Sequence, residues 1–482
     1  MHLLPLINIV GLLTLLLGGM QLIPMALALA YGEADWLGFL YSATGAMVVG
    51  GAMWFFTRKA TDINERDGFG VVTLGWVAAC FVGGMPYMLT GTTATITDAA
   101  FESMAGFTTT GSTVLNHLES LGHGVLLWRS MTQWFGGMGI IVLALVILPA
   151  LGIGGMQLYK REVSGPSAEK LTPRIRDTAR ALWSVYALLT LAQAIALVLA
   201  GMPVFDAINH ALTTLSTAGF STRDGSIGAY NSAAIEWIII FFMMAAGTNY
   251  FLHYRAMFRR GQQLNYFRDP EWRWYAFGTV VAALVMAGYL IVERDYEPFR
   301  ALTKGTFQVV SVLTTTGYGS DDFGQWGPFP MMLLFALMIT GGCAGSTSGG
   351  VKWVRIVLMM KFIRMEVLRL IHPRLVVHAK FGHARVTPDI LGNVFAFIFL
   401  YMTTLGVTTL LLTLDGNSIL TAMGSAASAL GNVGPGFDAT GPSTTFAGLS
   451  DFSKWVLTLA MMMGRLELMT VFALFMPHTW RV

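Results

Sequence analysis

The chain has 482 residues, of which 54% are hydrophobic and only 12% are charged, and its mean hydropathy is +0.61. This composition excludes a soluble globular protein, and a net charge of only +3 argues against a nucleic-acid-binding chain. The composition predicts an integral membrane protein.

Apolar stretches long enough to cross a hydrocarbon core of about 30 Å recur along the whole chain. Ten spanning helices are predicted, at residues 3–32, 36–57, 69–90, 130–159, 182–205, 237–252, 274–292, 329–351, 390–414 and 455–464. The first stretch is too long for a signal peptide and has no basic start, so it is predicted to be a retained helix. Cys80 and Cys343 fall inside apolar stretches, which predicts buried thiols and no disulfide framework.

Basic residues predict the orientation in the membrane. Most of the 30 Lys and Arg residues fall in segments 58–66, 160–180, 255–273 and 352–385, which the ten-helix arrangement places on one side. Loops rich in Lys and Arg stay in the cytoplasm, so this side and both chain termini are predicted to be cytoplasmic.

Four short segments that end in glycine, here termed the glycine loops, separate pairs of apolar stretches at near-even spacing. They are Thr108–Gly111, Ser216–Gly219, Thr314–Gly317 and Gly431–Gly434. Apolar residues recur four positions before each glycine, which indicates an internal repeat. One such loop alone would favour a helix-packing patch of small residues, whereas four in register favour an ion pore, because a selectivity filter needs rings of backbone carbonyls.

Each repeat is predicted to contain a spanning helix, a short helix of about ten residues, a glycine loop and a second spanning helix. The short helix rises only ~1.5 Å per residue and cannot cross the bilayer, so it must enter and turn back. The predicted fold is an all-α polytopic membrane protein, with four fused helix, pore-loop and helix repeats around a pseudo-fourfold pore and an extra N-terminal helix pair. The predicted units are the helix pair 1–67 and the repeats 68–160, 161–262, 263–372 and 373–482, the third with a gating loop.

One register of the repeat carries charge. Asp98 and Asp206 both stand thirteen residues before their glycines, where they are predicted to cap the outer ends of two short helices. The third and fourth repeats have Lys304 and Thr421 at this register, so the capping prediction covers half of the ring.

The third repeat contains a glycine-rich segment, residues 341–350, where a second spanning helix should run. Glycine at so many positions costs helix stability, so a hinged intramembrane gate is favoured over a tight crossing of small residues. Arg465 lies inside the last apolar stretch, where a cation is costly, and is expected to point toward the pore instead of snorkelling to the inner surface. Asn249 is a weaker pore-lining candidate, and a buried hydrogen bond between helices is an equal alternative for it.

Three further motifs accompany the glycine loops, at Glu65–Phe69, Gln133–Gly139 and Gly464–Leu468. With these motifs the chain resembles, over essentially its whole length, the membrane subunits of Trk-type potassium uptake systems, in the TrkH/KtrB/HKT superfamily of cation transporters. The extra N-terminal helix pair is typical of the Trk branch.

The resemblance implies a potassium filter and a gate. The filter residues would be Thr109, Thr110, Gly111, Thr217, Ala218, Gly219, Thr315, Thr316, Gly317, Asn432, Val433 and Gly434. The gate residues would be Gly341, Gly342, Gly345, Ser346, Thr347, Ser348, Gly349, Gly350 and Arg465.

The resemblance also implies potassium uptake across a bacterial inner membrane, with rubidium accepted and sodium accepted weakly, because all four filter glycines are present. It implies a homodimer and a TrkA-type cytosolic regulatory ring that binds NAD(H) or ATP and docks on segments 255–273 and 352–385. This chain has no phosphate loop or dinucleotide motif, so we expect the nucleotide to belong to the partner and no cofactor to bind here.

Other functions stay open on the sequence. A sodium-permeable or proton-coupled cation symporter is one, and a transporter with inverted repeats is another, although the basic loops favour parallel repeats. An integral-membrane enzyme would need a cluster of catalytic groups. Glu102 and His210 share a register nine residues before glycine, but the other two repeats have Gln308 and Ser425 there, which favours packing behind the loops over catalysis.

Overall fold

The computed structural model describes residues 3–59, 65–146, 175–258, 265–372, 380–382 and 384–476. The predicted boundaries after residues 160 and 262 lie outside these ranges, as do most of basic segment 160–180 and part of segment 352–385. Cys80 and Cys343 are free and buried, as predicted. The described residues contain no cluster of His, Cys, Asp and Glu that could hold a metal ion.

The N-terminal pair of spans is formed by α1 (Leu3–Met20) with α2 (Leu22–Tyr31), which together make the first span, and by α3 (Trp36–Thr57), which makes the second. Glycine lets α1 and α3 approach closely, since a Cβ on Gly50 would lie 2.7 Å from the carbonyl oxygen of Gly11. Small residues at a helix crossing are the usual means of close packing in a membrane, where lipid removes the hydrophobic driving force.

Four repeats of helix, short helix and helix follow. The first helices are α4 (Glu65–Leu89), α7 (Ile175–Leu199), α12 (Pro270–Arg294) and α16 (Pro388–Leu414). The short helices are α5 (Ile96–Phe107), α8 (Val204–Leu215), α13 (Pro298–Leu313) and α17 (Ile419–Gly431). The second helices are α6 (His123–Val146), α9 (Ala233–Ala246) with α10 (Tyr250–Phe258), α14 (Pro328–Thr340) with α15 (Trp353–Ile371), and α18 (Asp451–Arg465) with α19 (Met469–Phe475).

Smaller elements complete the described chain. These are α11 (Asn265–Arg268), the antiparallel pair β1 (Lys380–Phe381) and β2 (Ala384–Arg385), and single 3-10 turns at Leu118–Ser120, Ser226–Tyr230, Phe323–Gln325, Asp438–Thr440 and Phe446–Gly448. The hydrophobic core surrounds the short helices, as the complete burial of Phe101, Phe307 and Leu430 illustrates.

The prediction of one spanning helix at 237–252 is wrong, whereas the predicted interruption of the second helix of repeat 3 at residues 341–350 is confirmed, and the predicted span 455–464 lies within one short helix. Six helical segments among the described residues are long and apolar enough to cross a membrane, at 3–31, 36–57, 70–89, 178–199, 270–294 and 388–414. By contrast, α9 and α10 meet at an angle of 100°, α14 has 13 residues, and α18 has 15 residues and ends at Arg465. Apolar composition places a stretch in the membrane, but it does not require the backbone to remain helical where protein covers it.

The prediction that Asp98 and Asp206 cap short helices is also wrong. The N-cap of α5 is Thr95, whose hydroxyl accepts a hydrogen bond from the backbone N–H of Asp98 at 3.1 Å. Asp206 likewise lies inside α8, and its carboxylate pairs with Arg223 at 3.2 Å. A shared register shows that two positions are equivalent, but it does not say on which side of the first helical turn they fall.

The charged register instead joins neighbouring repeats. Asp98 of α5 pairs with Lys454 of α18 at 2.7 Å, and Lys304 of α13 pairs with Glu236 of α9 at 2.6 Å. Asp98 and Lys304 both stand thirteen residues before their loop glycines. In each case a short helix meets the second helix of the preceding repeat, and the two ion pairs have opposite polarity.

Candidate ion pore

The four glycine loops share one pattern of positive and negative φ angles, although Gly434 departs in value from the other three glycines. Two positions in each have a positive φ, namely Thr109 (54°), Thr217 (53°), Thr315 (58°) and Asn432 (54°), and the glycines Gly111 (79°), Gly219 (76°), Gly317 (80°) and Gly434 (117°). The residue between them has a negative φ in every loop. A positive φ is rare for residues other than glycine, and alternating handedness aligns successive peptide groups on one side of a chain.

The loops form a closed ring in chain order. A Cβ on Gly111 would overlap the carbonyl oxygen of Ala218 in the next loop. The same overlap occurs between Gly219 and Thr316 and between Gly317 and Val433, while a Cβ on Gly434 would lie 3.0 Å from the carbonyl oxygen of Thr110. A cavity of about 260 Å³ is lined by all four glycines. The loops therefore surround one central space, and glycine is needed because a neighbouring carbonyl occupies the position of a side chain.

Each short helix is tied to the chain that follows its own loop. Nine residues before each glycine, a polar side chain makes this tie: Glu102 with the Thr113 hydroxyl (2.9 Å), His210 with the Ser221 hydroxyl (3.0 Å), Gln308 with the Asp321 carbonyl (2.9 Å), and Ser425 with the Thr440 hydroxyl (2.8 Å). The prediction that this register packs behind the loops is confirmed.

Side chains hold two of the loops in place. The Gln133 side-chain amide donates to the Ala218 carbonyl at 3.0 Å and accepts from the Phe220 N–H at 3.0 Å, so it brackets Gly219. The Gly434 carbonyl accepts from the hydroxyls of Ser112 (2.7 Å) and Ser428 (2.8 Å). The motif at Gln133–Gly139 is visible in the sequence, but its contact with the second loop is not, because only the fold brings α6 against that loop.

The first parts of the loops, next to the ends of their short helices, lie against the glycine-rich segment at residues 341–350. The Thr315 hydroxyl accepts a hydrogen bond from the Gly349 N–H at 2.8 Å. At the matched register of two other loops, Thr109 Oγ1 and Asn432 Oδ1 are buried and have no hydrogen-bond partner among the described residues. Buried polar atoms are rarely left unpaired, so these oxygens are available to a ligand or to water.

The glycine-rich segment leaves the helical conformation as soon as α14 ends. Gly341, Gly345 and Gly350 have φ values of 73°, 75° and 72°, a region that glycine occupies without steric cost. A Cβ on Gly349 would overlap the carbonyl oxygen of Gly431, at the end of α17. The segment thus fills the space directly beneath the loops. Asn249 also contacts it, with Oδ1 3.0 Å from the position of a Cβ on Gly345.

Arg465, at the end of α18, contacts the glycine-rich segment. Its side chain is 2% exposed, and its guanidinium donates to the Thr347 carbonyl at 2.7 Å and to the Gly136 carbonyl at 3.3 Å. Gly136 and Gly464 are equivalent, because a Cβ on either would overlap the carbonyl oxygen of the residue four positions before its own loop glycine, so Arg465 matches Gly137. Gly247 matches Gly137 in turn, because both lie against the residue three positions before the next loop glycine, Thr314 and Ser216 respectively. The expected contact between Arg465 and the glycine-rich segment is present, and a role in gating stays a prediction.

Glu467 joins the end of α18 to the start of α15. Its carboxylate pairs with Arg355 and lies 3.7 Å from the Lys352 ammonium nitrogen. Lys352 and Arg355 are buried, so their assignment to a cytoplasmic docking surface is wrong. They were grouped with surface cations because counting charges along a chain does not show which side chains face inward. Other basic residues of these segments, namely Arg268, Arg273, Arg364 and Arg369, are exposed.

Comparison with known proteins shows that the chain is similar to cation transporters over its length. A family model named TrkH, described as a cation transport protein, matches residues 39–481. The Trk system potassium uptake protein TrkH of Escherichia coli K12 is 40% identical over 485 residues and 100% of both chains. TrkG of the same organism, also named a Trk system potassium uptake protein, is 35% identical over 95% of this chain and 94% of its own. The crystal structure of the potassium transporter TrkH from Vibrio parahaemolyticus matches with a TM-score of 0.92, 38% identity and 100% coverage of both chains.

Proposed function

The chain belongs to the TrkH family of cation transport proteins, and from this premise we propose that it carries potassium into the cell as the membrane subunit of a Trk system. The relatives are named as transporters and not as enzymes. The observation that carries the proposal is the closed ring of four glycine loops around one space, which is the arrangement that a single-chain cation filter requires.

In the proposed filter, loop carbonyls replace the water around potassium. The filter residues are the three residues of each loop that the sequence analysis inferred. Each set begins at the residue with positive φ, which is Thr109, Thr217, Thr315 or Asn432, and ends at the loop glycine. The short helices point their C-terminal ends at this space, and the negative end of a helix dipole favours a cation. Two observations argue for modest selectivity: the carbonyls of Ala218 and Gly434 are already engaged by side chains, and the fourth loop departs from the conformation of the others.

In the proposed gate, the glycine-rich segment obstructs the path below the filter. Its contacts with Thr315 and Gly431 support this position. The positive charge of Arg465 at the Thr347 carbonyl would oppose a passing cation, and the glycines would let the segment fold away when the gate opens.

The proposal includes a setting and partners. The chain would lie in a bacterial inner membrane with both termini in the cytoplasm, as a homodimer. A TrkA-type cytosolic ring that binds NAD(H) or ATP would regulate the gate. The names of the relatives support a Trk system, and the exposed cations Arg268, Arg273, Arg364 and Arg369 offer a docking surface without the buried Lys352 and Arg355.

Uptake of rubidium-86 into liposomes that contain the purified protein tests the proposal. Potassium and sodium are added separately as competitors, and the sodium-to-potassium ratio of half-inhibitory concentrations measures selectivity. Suppression by potassium at a lower concentration than by sodium is expected. Equal suppression by both ions would point to a sodium-permeable pathway, and a dependence on an imposed proton gradient would point to symport. If uptake is absent, the measurement is repeated with the cytosolic ring and nucleotide, because a closed gate needs its partner.

A further inference from the structure

A buried ion pair lies directly behind the first glycine loop. Glu102 of α5 is 0% exposed and Arg129 of α6 is 1% exposed, and Arg129 Nε donates to Glu102 Oε1 at 2.8 Å. Desolvation makes such a pair expensive, and replacing it by well-packed apolar residues is often neutral or stabilising. Stability alone therefore does not account for charge at this place.

The pair holds the chain on both sides of an interface between repeats. Glu102 accepts hydrogen bonds from the Thr113 hydroxyl at 2.9 Å and the Val114 N–H at 3.0 Å, just after the first glycine loop. Arg129 donates to the Thr113 hydroxyl at 3.2 Å and to the Ser221 carbonyl at 3.1 Å, just after the second loop. One guanidinium thus joins the outer ends of two neighbouring loops.

The same face of α6 makes a second contact with the second loop. The Arg129 guanidinium lies over the Phe220 ring, 4.1 Å from its centroid, and Gln133, one helical turn later, brackets Gly219. Residues four apart on a helix face the same way. Arg129 and Gln133 therefore fix the position of Gly219 and its neighbours relative to the first repeat.

The other second helices that can be aligned have no charge at this register. Arg129 stands eight residues before Gly137, and the residues eight before Gly247 and Arg465 are Ile239 and Leu457, both fully buried. In those repeats the tie behind the loop uses a neutral side chain and stays within one repeat, as His210 and Ser425 show. Two other interfaces carry charge thirteen residues before the loop glycine, in the pairs Lys454–Asp98 and Lys304–Glu236, and Lys304 also donates to the Ser320 carbonyl at 2.9 Å. The first interface differs in that its charged pair lies nine residues before the glycine, directly behind the loop.

We propose that Glu102 and Arg129 are specificity-determining positioning residues, which set the spacing between the outer ends of the first and second glycine loops and thereby the preference for potassium over sodium. Neither residue touches the ion. They act through Thr113 and Ser221, the second residue after the glycine of each loop. The inference rests on the proposed potassium filter and deepens it.

The rubidium-86 competition assay tests the inference with two single variants. Arg129→Lys keeps a cation beside Glu102 but has one compact ammonium, which cannot reproduce the fork to Thr113 and Ser221. Glu102→Gln keeps the size of the side chain and removes the charge. In both variants the sodium-to-potassium ratio of half-inhibitory concentrations should fall by about tenfold, which equals ~1.4 kcal/mol of discrimination, while rubidium still enters.

Lys454→Gln is the matched control. It breaks another ion pair at a repeat interface, between the buried Lys454 and the half-buried Asp98, but the side-chain contacts of Asp98 are with Thr95 and Lys454 and not with the chain just after a glycine loop. The control should lower the unfolding temperature and leave the ratio unchanged. Unchanged ratios in Arg129→Lys and Glu102→Gln, with a lower unfolding temperature, would make the pair merely structural and overturn the inference.

If the single variants do not fold, the double variant Glu102→Leu with Arg129→Met decides, because apolar replacement of both partners is tolerated more often than removal of one. A reduced ratio in that protein supports the inference, and an unchanged ratio overturns it. Equal inhibition by potassium and sodium before any substitution would instead overturn the proposed function, and the inference with it.

Discussion

Replacing Gly111 by serine should weaken the preference for potassium strongly, for two structural reasons. Gly111 has a φ of 79°, where a residue with a Cβ costs roughly 1–2 kcal/mol. The new Cβ would also overlap the carbonyl oxygen of Ala218, so either this carbonyl or the first loop must move. A filter that loses ~1.4 kcal/mol of discrimination loses a factor of ten in selectivity, and displacement of one carbonyl position should reach at least this value.

The assay is rubidium-86 uptake with potassium and sodium as competitors, together with thermal unfolding of each purified variant. Gly434→Ser should reduce the selectivity ratio less, because its Cβ would lie 3.0 Å from the Thr110 carbonyl oxygen and a small shift suffices. Gly416→Ser is the control for backbone strain alone, since Gly416 has a φ of 88° and no atom within 4 Å of a new Cβ.

The reasoning would be refuted by a selectivity ratio in Gly111→Ser that equals the ratio in Gly416→Ser. Such a result would mean that the contact between Gly111 and the next loop does not set selectivity. A reduced ratio in Gly416→Ser would be equally damaging, because it would assign the effect to strain anywhere in the chain.

Three further predictions concern the gate, the ring and the outer surface. Arg465→Ala should raise uptake in the absence of a cytosolic partner by removing the buried charge below the filter, and unchanged or lower uptake would count against the barrier. Asp98→Asn should lower the free energy of unfolding by about 1–3 kcal/mol because it leaves Lys454 unpaired, and exchanging the two charges should recover part of this loss in a thermal unfolding series; no recovery would argue against a direct pair. Hydrogen bonds from Ser418 and a neighbouring threonine hold the pKa of the Asp438 carboxyl below its ordinary value of 3.8, so their stabilising effect is present above that pH and is lost as the pH falls through the lowered pKa. Ser418→Ala should therefore destabilise the protein at pH 7, and the difference from the unmodified protein should shrink as the pH falls through the lowered pKa of Asp438, down to the part that comes from the lost N-cap of α17. A difference that does not change with pH would contradict the assignment.

The repeat could be predicted from the sequence because backbone geometry demanded the same residue four times. Gly111, Gly219 and Gly317 each meet a carbonyl of the next loop, and no side chain fits there. Packing behind the loops could also be predicted for the register nine residues before each glycine. Glu102 and His210 differ in chemistry, but both pair with a residue two positions after the glycine.

Other features depend on distant contacts that a linear pattern does not contain. Lys304 looked like an exception to a capping register, whereas its partner is Glu236 in the preceding repeat. Lys352 and Arg355 looked like surface cations, whereas Glu467, more than a hundred residues later, pairs with both. The break between α9 and α10 was missed because hydropathy reports the surroundings of a side chain and not the path of the backbone, whereas the break after α14 could be predicted because glycine is costly in a helix.

The opposite polarity of the two ion pairs between repeats has a consequence for assembly. Four identical subunits could not place Asp98 against Lys454 at one boundary and Lys304 against Glu236 at an equivalent one. In a fused chain, a misplaced third short helix beside α18 would bring two lysines together, and like charges in a buried contact oppose association. Fusion of the four repeats thus allows these two boundaries to carry charges of opposite arrangement, which disfavours an exchange of the short helices between them.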